Sequence, residues 1–364
     1  MSKAQLRPEL LALLQLSAPS ASEIEFEAIL RSLPAAFNWN YFLERAIATN
    51  LAGYLLPYPE IAEKHYPEFV YKKIKAYQQR ILLHSLQLLD TVELLHQALQ
   101  EKQIKHAFLK GCSLMIKKEA HIKSRQVSDI DLLIDPNQQK EVIFILQQLG
   151  ADVKTMIYKS DWHQKQQIEH APIQAVLSSL CIDVHIRLFE ADTHYQISTF
   201  ELLKEVEYYP FKNAMIPLLS KNAAHLFTIL HAHKHLYSGH VFKVGSVNDL
   251  YAIKWDELSE LVQTWNANKA FQEMQKFTKT WFDGAYASTF LGQTVLRFLS
   301  DRPLSLPEKT IFLKRRLINV NGILLHPKHF IFDLFPSKIY LNTHFGTGNY
   351  LTAYWRRTKN LFRF

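Results

Sequence analysis

The stretch Ala107–Asp135, AFLKGCSLMIKKEAHIKSRQVSDIDLLID, decides the fold. It opens on a short apolar run, Ala107-Phe108-Leu109, the pattern of a buried strand. Lys110 and Gly111 follow, and Ser113–Glu119 reads as a helix. A polar loop carries Arg125 and Ser128, and the run Asp129-Ile130-Asp131-Leu132-Leu133-Ile134 reads as a second strand. Side chains alternate across a strand, so Asp129 and Asp131 share one face while Ile130 and Leu132 take the other. Two carboxylates side by side repel each other, and a hard divalent cation such as Mg²⁺ favours oxygen ligands of this kind.

A second alternating run lies downstream, Cys181-Ile182-Asp183-Val184-His185-Ile186-Arg187-Leu188. Period two places Asp183, His185 and Arg187 on one face and Ile182, Val184 and Ile186 on the other. On residues alone, His185 is either a supporting partner of Asp183 or a satisfied core histidine. Arg125 either meets phosphate or pairs with Asp129 or Asp131.

The Leu109-Lys110-Gly111 strand end, Arg125 and the Asp129-Ile130-Asp131-Leu132-Leu133-Ile134 strand resemble the nucleotidyltransferase superfamily that includes DNA polymerase beta and the kanamycin nucleotidyltransferases. More closely, the chain looks like the bacterial uncharacterised nucleotidyltransferase family, with a further likeness to abortive-infection, toxin-type nucleotidyltransferases of toxin–antitoxin character. The resemblance implies an α+β fold: a mixed β-sheet core with flanking helices, between a helical N-terminal region and a helical C-terminal region. It implies Asp129, Asp131 and Asp183 as a catalytic, metal-holding triad for Mg²⁺ or Mn²⁺, with an NTP such as ATP as substrate. Lys110, Gly111, Ser113, Arg125, Ser128 and Lys243 are the nucleotide-binding candidates. Family members often carry Gly-Ser where this chain has Gly111-Cys112-Ser113, so Ser113 stands one place late.

Working outward, residues 1–104 read as a helical N-terminal region. Ser22 has the character of an N-cap, Asn40–Leu56 is amphipathic up to Pro57, and a long helix is expected from Pro67 to Lys102. Residues 105–215 form the expected catalytic core: a helix Gln138–Leu149, a strand Ala151–Tyr158, a turn and hairpin strand over Asp161–Gln174, then the Asp183 strand. Residues 216–300 are expected to close the site through an apolar helix, Asn222–Lys234. His231 and His235 stand four apart beside Lys234, the spacing of a zinc pair but without its usual glutamate. By resemblance, His231, Lys234 and His235 lie near the substrate, and Asp249 supports Lys243.

Residues 301–364 form a basic, aromatic C-terminal extension with a Lys314-Arg315-Arg316 run. The end, Tyr354–Phe364, suits RNA, an anionic membrane surface or docking on the core. With 10 Gly in 364 residues and no GxGxxG or GxxxxGK[ST], Rossmann and P-loop classes are disfavoured. The net charge of +8 allows a polyanionic partner.

Cys112 and Cys181, both beside expected core strands, read as small buried hydrophobes, and so sparse a cysteine content suits a reducing cytoplasm. No apolar run reaches the roughly 18 residues of a membrane span. Leu10–Leu14 with its flanks faintly suggests a signal peptide, but Glu9 favours an amphipathic helix ended by Pro19.

The function expected is transfer of NMP from an NTP to an acceptor that is RNA or tRNA, a protein hydroxyl or a small molecule. The alternative is a non-catalytic nucleotide-binding scaffold, against which three intact carboxylates weigh.

Overall fold

The computed structural model describes residues 6–119, 122–158, 161, 170–191, 193–238, 243–300, 336–345 and 349–361. Its centre is the quoted stretch. Strand β1 (His106–Phe108) turns directly into a helix, Lys110–Ile116, and β2 (Asp129–Ile134) returns antiparallel to β1. Five of the six residues of β2 are buried, as a central strand requires. β3 (Asp152–Thr155), β4 (Ile173–Leu177), β5 (Leu180–His185), β6 (Glu207–Phe211) and β7 (Ala214–Leu218) complete one seven-stranded mixed sheet of order β3-β4-β5-β2-β1-β7-β6. β2 and β5 are parallel, and a parallel pair needs a crossover. The helix Gln139–Gln148 and the β3–β4 hairpin supply it. The resulting register sets Asp131 directly beside Asp183.

The helix Glu68–Glu101 ties the molecule together. At 34 residues it is about 50 Å long. Its first half, through Val70, Ile74 and Ile81, packs in an apolar core with the helices Pro8–Leu16, Glu23–Arg31 and Trp39–Ala48. Its second half, through Leu88, Val92, Leu95 and Leu99, packs against the sheet. The first core also takes in Leu226, Phe227 and Leu230 of the helix Lys221–Ser238, and Phe277 and Val295 further on. The helices before and after the sheet thus share one interior, and Arg45 donates from Nε to the Leu299 carbonyl at 2.8 Å.

Most expected elements are present, with informative shifts. The Ser22 cap is a full capping box with Glu25, and Leu13 and Leu16 bury the first helix in the core. The helix expected over Asn40–Leu56 ends at Ala48, because Asn50 turns the chain through φ 59°. The helix expected at Ser113 starts at Lys110, and Cys181 is exposed rather than buried, since it lies on the carboxylate face of β5.

Much of the expected Asp161–Gln174 turn, and Lys314-Arg315-Arg316, lie outside the described residues. The C-terminal helices Lys338–Phe345 and Tyr350–Leu361 leave Leu351 and Trp355 exposed. Among the described residues no helix is long and apolar enough to cross a membrane.

Candidate active site

The site begins where β1 ends. Leu109 is extended and Lys110 adopts φ 49°, so the chain swings from strand to helix within one residue. Gly111 is needed here for space rather than for its own dihedrals. A Cβ on it would meet both methyls of Val127, at 2.6 and 2.7 Å. That contact holds the Arg125–Ser128 loop against the helix and aims Lys110 at β2.

Asp129, Asp131 and Asp183 meet at the neighbouring ends of β2 and β5. One oxygen from each lies within 4.8 Å of the others. Asp131 is fully enclosed, whereas Asp129 and Asp183 are partly exposed. Asp131 Oδ1 accepts from Lys110 Nζ at 2.6 Å and from His185 Nε2 at 2.7 Å. A carboxylate only accepts, so His185 carries its proton on Nε2, and its buried Nδ1 makes no hydrogen bond. Asp129 accepts from Ser128 Oγ at 2.8 Å and Asp183 from Gln174 Nε2 at 3.1 Å.

The electrostatics follow from this packing. Burial by itself would raise the Asp131 carboxyl, but Lys110 and the hydrogen bond from His185 outweigh it and hold it well below the usual carboxylate range. Burial drives His185 down to about 4, so it is neutral near pH 7 and Lys110 supplies the compensating charge. Burial also opposes the Lys110 charge, yet Asp131 raises its ammonium above the ordinary value. Asp183 is raised, by burial first and then by Asp131 and Asp129. Three carboxylates facing one bonded ammonium leave a surplus of negative charge. An all-oxygen donor set of this kind fits Mg²⁺ or Mn²⁺.

The triad opens into a cleft of about 350 Å³. Among the sequence candidates, Lys110, Gly111, Arg125, Ser128, Lys243 and Asp249 line it, as do His231, Lys234 and His235. Ser113 does not: it is buried behind the helix, its hydroxyl enclosed without a hydrogen-bond partner. His185 does not line it either; it bonds Asp131, which does. Asp249 supports Arg125 rather than Lys243. Arg125 Nε lies 2.9 and 2.8 Å from the two Asp249 oxygens, while Lys243 Nζ donates to Ser128 Oγ at 2.9 Å.

His231 and His235, whose zinc-like spacing lacks the usual glutamate, are hydrogen-bonded to each other, with Nε2 atoms 3.0 Å apart. Burial and the nearby Lys110 keep His231 neutral. Among the described residues the aspartate triad is the one group of three or more such side chains placed to hold a metal.

Two features went unread in the sequence. The N-terminal helices reach the site itself: Tyr77 donates to Gln126 Oε1 at 2.7 Å, and a Cβ on Gly53 would lie 2.1 Å from the Ser124 carbonyl oxygen. Glu190 accepts from Lys234 Nζ at 2.6 Å and pairs with His170 at 3.3 Å, fixing two residues of the cleft wall. Glu190 lies just past the Asp183 strand, and nothing in its sequence neighbourhood marks Lys234 as its partner.

No curated protein matches the chain in sequence. The solution structure of the antibiotic-resistance factor ANT(2'')-Ia is 11% identical, with a TM-score of 0.36 over 53% of this chain and 98% of its own. The crystal structure of ANT(2'')-Ia in complex with adenylyl-2''-tobramycin is 14% identical, with a TM-score of 0.29 over 59% of this chain and 98% of its own. Likenesses this weak say nothing of this chain's substrate. The sequence model described as uncharacterised nucleotidyltransferase, in contrast, matches residues 28–283, from the second helix through the whole sheet and past the cleft. The chain belongs to that nucleotidyltransferase family.

Proposed function

We propose that the cleft transfers an NMP group from an NTP to an acceptor hydroxyl. The observation that carries this reading is the meeting of Asp129, Asp131 and Asp183 within 4.8 Å, next to Lys110, in a chain of a nucleotidyltransferase family. The acceptor oxygen attacks the α-phosphorus. The bond from that phosphorus to the oxygen bridging to the β-phosphate breaks, and pyrophosphate leaves with the electron pair.

Asp129, Asp131 and Asp183 would hold Mg²⁺ or Mn²⁺, which when bound supplies charge neutralisation for the attacking and leaving oxygens. Asp183, at the more open end of the triad, takes the proton of the acceptor hydroxyl. Lys110 has three N–H donors, one of them on Asp131, and turns the others to phosphate oxygens. Arg125 has Nε committed to Asp249 and Nη1 to the Gln126 carbonyl, so Nη2 is left for phosphate. Lys243 and Ser128 flank the mouth and bind the outer phosphates. His185 fixes the rotamer of Asp131.

The acceptor is an RNA or tRNA end, a protein hydroxyl or a small molecule, and one experiment separates these. The purified protein is incubated with each α-labelled NTP, Mg²⁺ or Mn²⁺, and total RNA, with label followed on RNA, on the protein and in the small-molecule fraction. Label that requires metal and vanishes in Asp129→Ala/Asp131→Ala supports transfer and names the acceptor class. Absence of label, NTP binding and metal binding together would reduce the protein to a scaffold.

A further inference from the structure

The cleft opens beside a cationic helix face that the proposed chemistry does not use. On the helix Glu68–Glu101, Lys72, Lys73, Lys75 and Arg80 stand close together, and no acidic residue follows Glu68 before Asp90. All four cations are exposed, and Glu68 offsets Lys72. Helical periodicity lines up Phe69, Lys73, Ala76 and Arg80 on one flank, about 16 Å from end to end. Phe69 is 43% exposed, so an aromatic ring stands in solvent one turn from Lys73.

This flank ends at the rim of the cleft. Arg80 holds its guanidinium 5.0 Å from the centre of the Tyr77 ring, and the Tyr77 hydroxyl donates to Gln126, a residue of the cleft wall. Stacking of this kind leaves the N–H edges of the guanidinium for phosphate. The loop that leads into Asp129 runs back along the same helix: Ser85 donates to the Ile122 carbonyl at 3.4 Å, and Tyr77 holds Gln126. It brings the exposed Lys123 alongside, and then Arg125 and Ser128 at the cleft. Lys243 meets Ser128 there. Positive charge therefore continues from the outer face of the helix to the mouth of the cleft. A bilayer-binding helix needs a broad apolar face, whereas this flank sets a single aromatic ring among cations. Phosphates spaced along a strand, with bases free to stack, match that pattern.

We propose that the acceptor is a nucleic-acid strand, with backbone phosphates along Lys73, Arg80 and Lys123, a base stacked on Phe69, and the terminal hydroxyl in the cleft. The acceptor role rests on the nucleotidyl-transfer reading; the binding surface does not. In the transfer step the terminal hydroxyl oxygen forms the bond to the α-phosphorus, its proton passes to Asp183, and pyrophosphate leaves with the electron pair of the broken bond. The strand is thereby lengthened by one nucleotide.

Fluorescein-labelled single strands of RNA and DNA, of one sequence, are titrated with the full-length protein in EDTA without NTP. Fluorescence anisotropy follows binding between about 50 and 200 mM salt. Binding is saturable and weakens with salt. Lys73→Gln/Arg80→Gln lowers the slope of log K against log salt by about two, and Phe69→Ala weakens binding about fivefold or more at an unchanged slope. Lys276→Gln/Lys279→Gln, an equal loss of charge on the helix Asn268–Phe282, which does not line the cleft, leaves binding unchanged. With α-labelled NTP and Mg²⁺, label joins the strand end, and Lys73→Gln/Arg80→Gln raises KM for the strand and not for the NTP. Whichever of RNA and DNA is labelled identifies the sugar of the acceptor. Absence of saturable binding to either strand overturns the proposal. So does binding that survives Lys73→Gln/Arg80→Gln, or that falls equally with Lys276→Gln/Lys279→Gln. Binding to phosphatidylglycerol vesicles in place of either strand, lost in Lys73→Gln/Arg80→Gln, assigns the face to a membrane surface and also overturns it. Label on a different acceptor overturns the acceptor role and leaves the transfer reading standing. Label on no acceptor overturns both, while the anisotropy still decides the binding surface.

Discussion

Two buried aspartates border the same cleft and are held in opposite ways. Asp249 faces one guanidinium, with both oxygens within 2.9 Å of Arg125 Nε, and the charges cancel. Asp131 faces one ammonium and two further carboxylates, and they do not. Burial raises both acids. It prevails at Asp249 despite Arg125, and it loses at Asp131, where Lys110 and His185 converge on a single oxygen. A balanced pair completes itself and serves as a brace between the Arg125 loop and the Val244–Leu250 turn. An unbalanced group needs something further, and that distinguishes the proposed reacting centre from its scaffold.

The largest effect expected from this contrast is on activity. Asp131→Ala lowers NMP transfer by about 10³-fold or more, the scale seen when a charge-stabilising group is removed from an enzyme site. The labelled-NTP assay reads it. Preserved transfer in Asp131→Ala would reverse the assignment of roles. The partner experiment concerns charge surplus: Asp183→Asn in metal-free protein raises the midpoint of thermal unfolding, because it removes one of three like charges. A fall in that midpoint would mean the triad is balanced after all.

Next comes stability. Asp249→Ala leaves the buried Arg125 guanidinium without an opposite charge and costs about 3–5 kcal/mol. Urea unfolding monitored by far-UV circular dichroism measures it. A cost below about 1 kcal/mol would mark the pair as an ordinary surface-like ion pair and remove the brace from the comparison.

Burial without any opposite charge supplies a third case. His106 at the start of β1 is buried, and its Nδ1 lies 2.7 Å from the Ile104 carbonyl. That contact requires Nδ1–H, so Nε2 accepts from His96 Nδ1 at 3.0 Å. Burial lowers the His106 pKa from 6.5 to about 4. Between those values the unfolded chain holds a proton that the folded chain does not. Stability from this residue is therefore complete above pH 6.5 and is lost as pH falls toward 4, by about 3 kcal/mol in all. The difference between wild-type and His106→Gln stability profiles isolates it. Parallel profiles would show that burial alone does not move a group in this sheet.

How much of this was legible beforehand depended on sequence distance. Period-two alternation placed Asp129, Asp131 and Asp183 on shared faces, and a parallel register then brought 131 and 183 side by side. The strand–Lys-Gly turn was equally local. What stayed hidden was pairing across long separations. Arg125 finds Asp249 across 124 residues, and nothing in either neighbourhood marks the match. The β6–β7 hairpin was unread: Pro210 lies inside β6 and Pro217 inside β7, and an internal proline argues against a strand, although β6 at least is an edge. Ser113 was misplaced because the helix starts three residues early, which rotates its hydroxyl from the cleft to the core.

The smallest effect tests whether the N-terminal helices merely support the fold or also shape the site. Tyr77 lies on the Glu68–Glu101 helix, yet its hydroxyl donates to Gln126 in the loop that carries Arg125 and Ser128. Tyr77→Phe removes one hydrogen bond and almost no volume, so the stability cost is about 1 kcal/mol. If the helix only supports the fold, NTP affinity and turnover stay as they were. If it sets the loop, Arg125 and Ser128 lose their fixed position, and KM for the NTP rises severalfold while kcat changes less. The split between KM and kcat decides, because a loss of folded protein lowers the apparent kcat and leaves KM alone. An unchanged KM would confine the loop's positioning to Asp249 and Val127, and the brace would then lie wholly on the far side of the cleft.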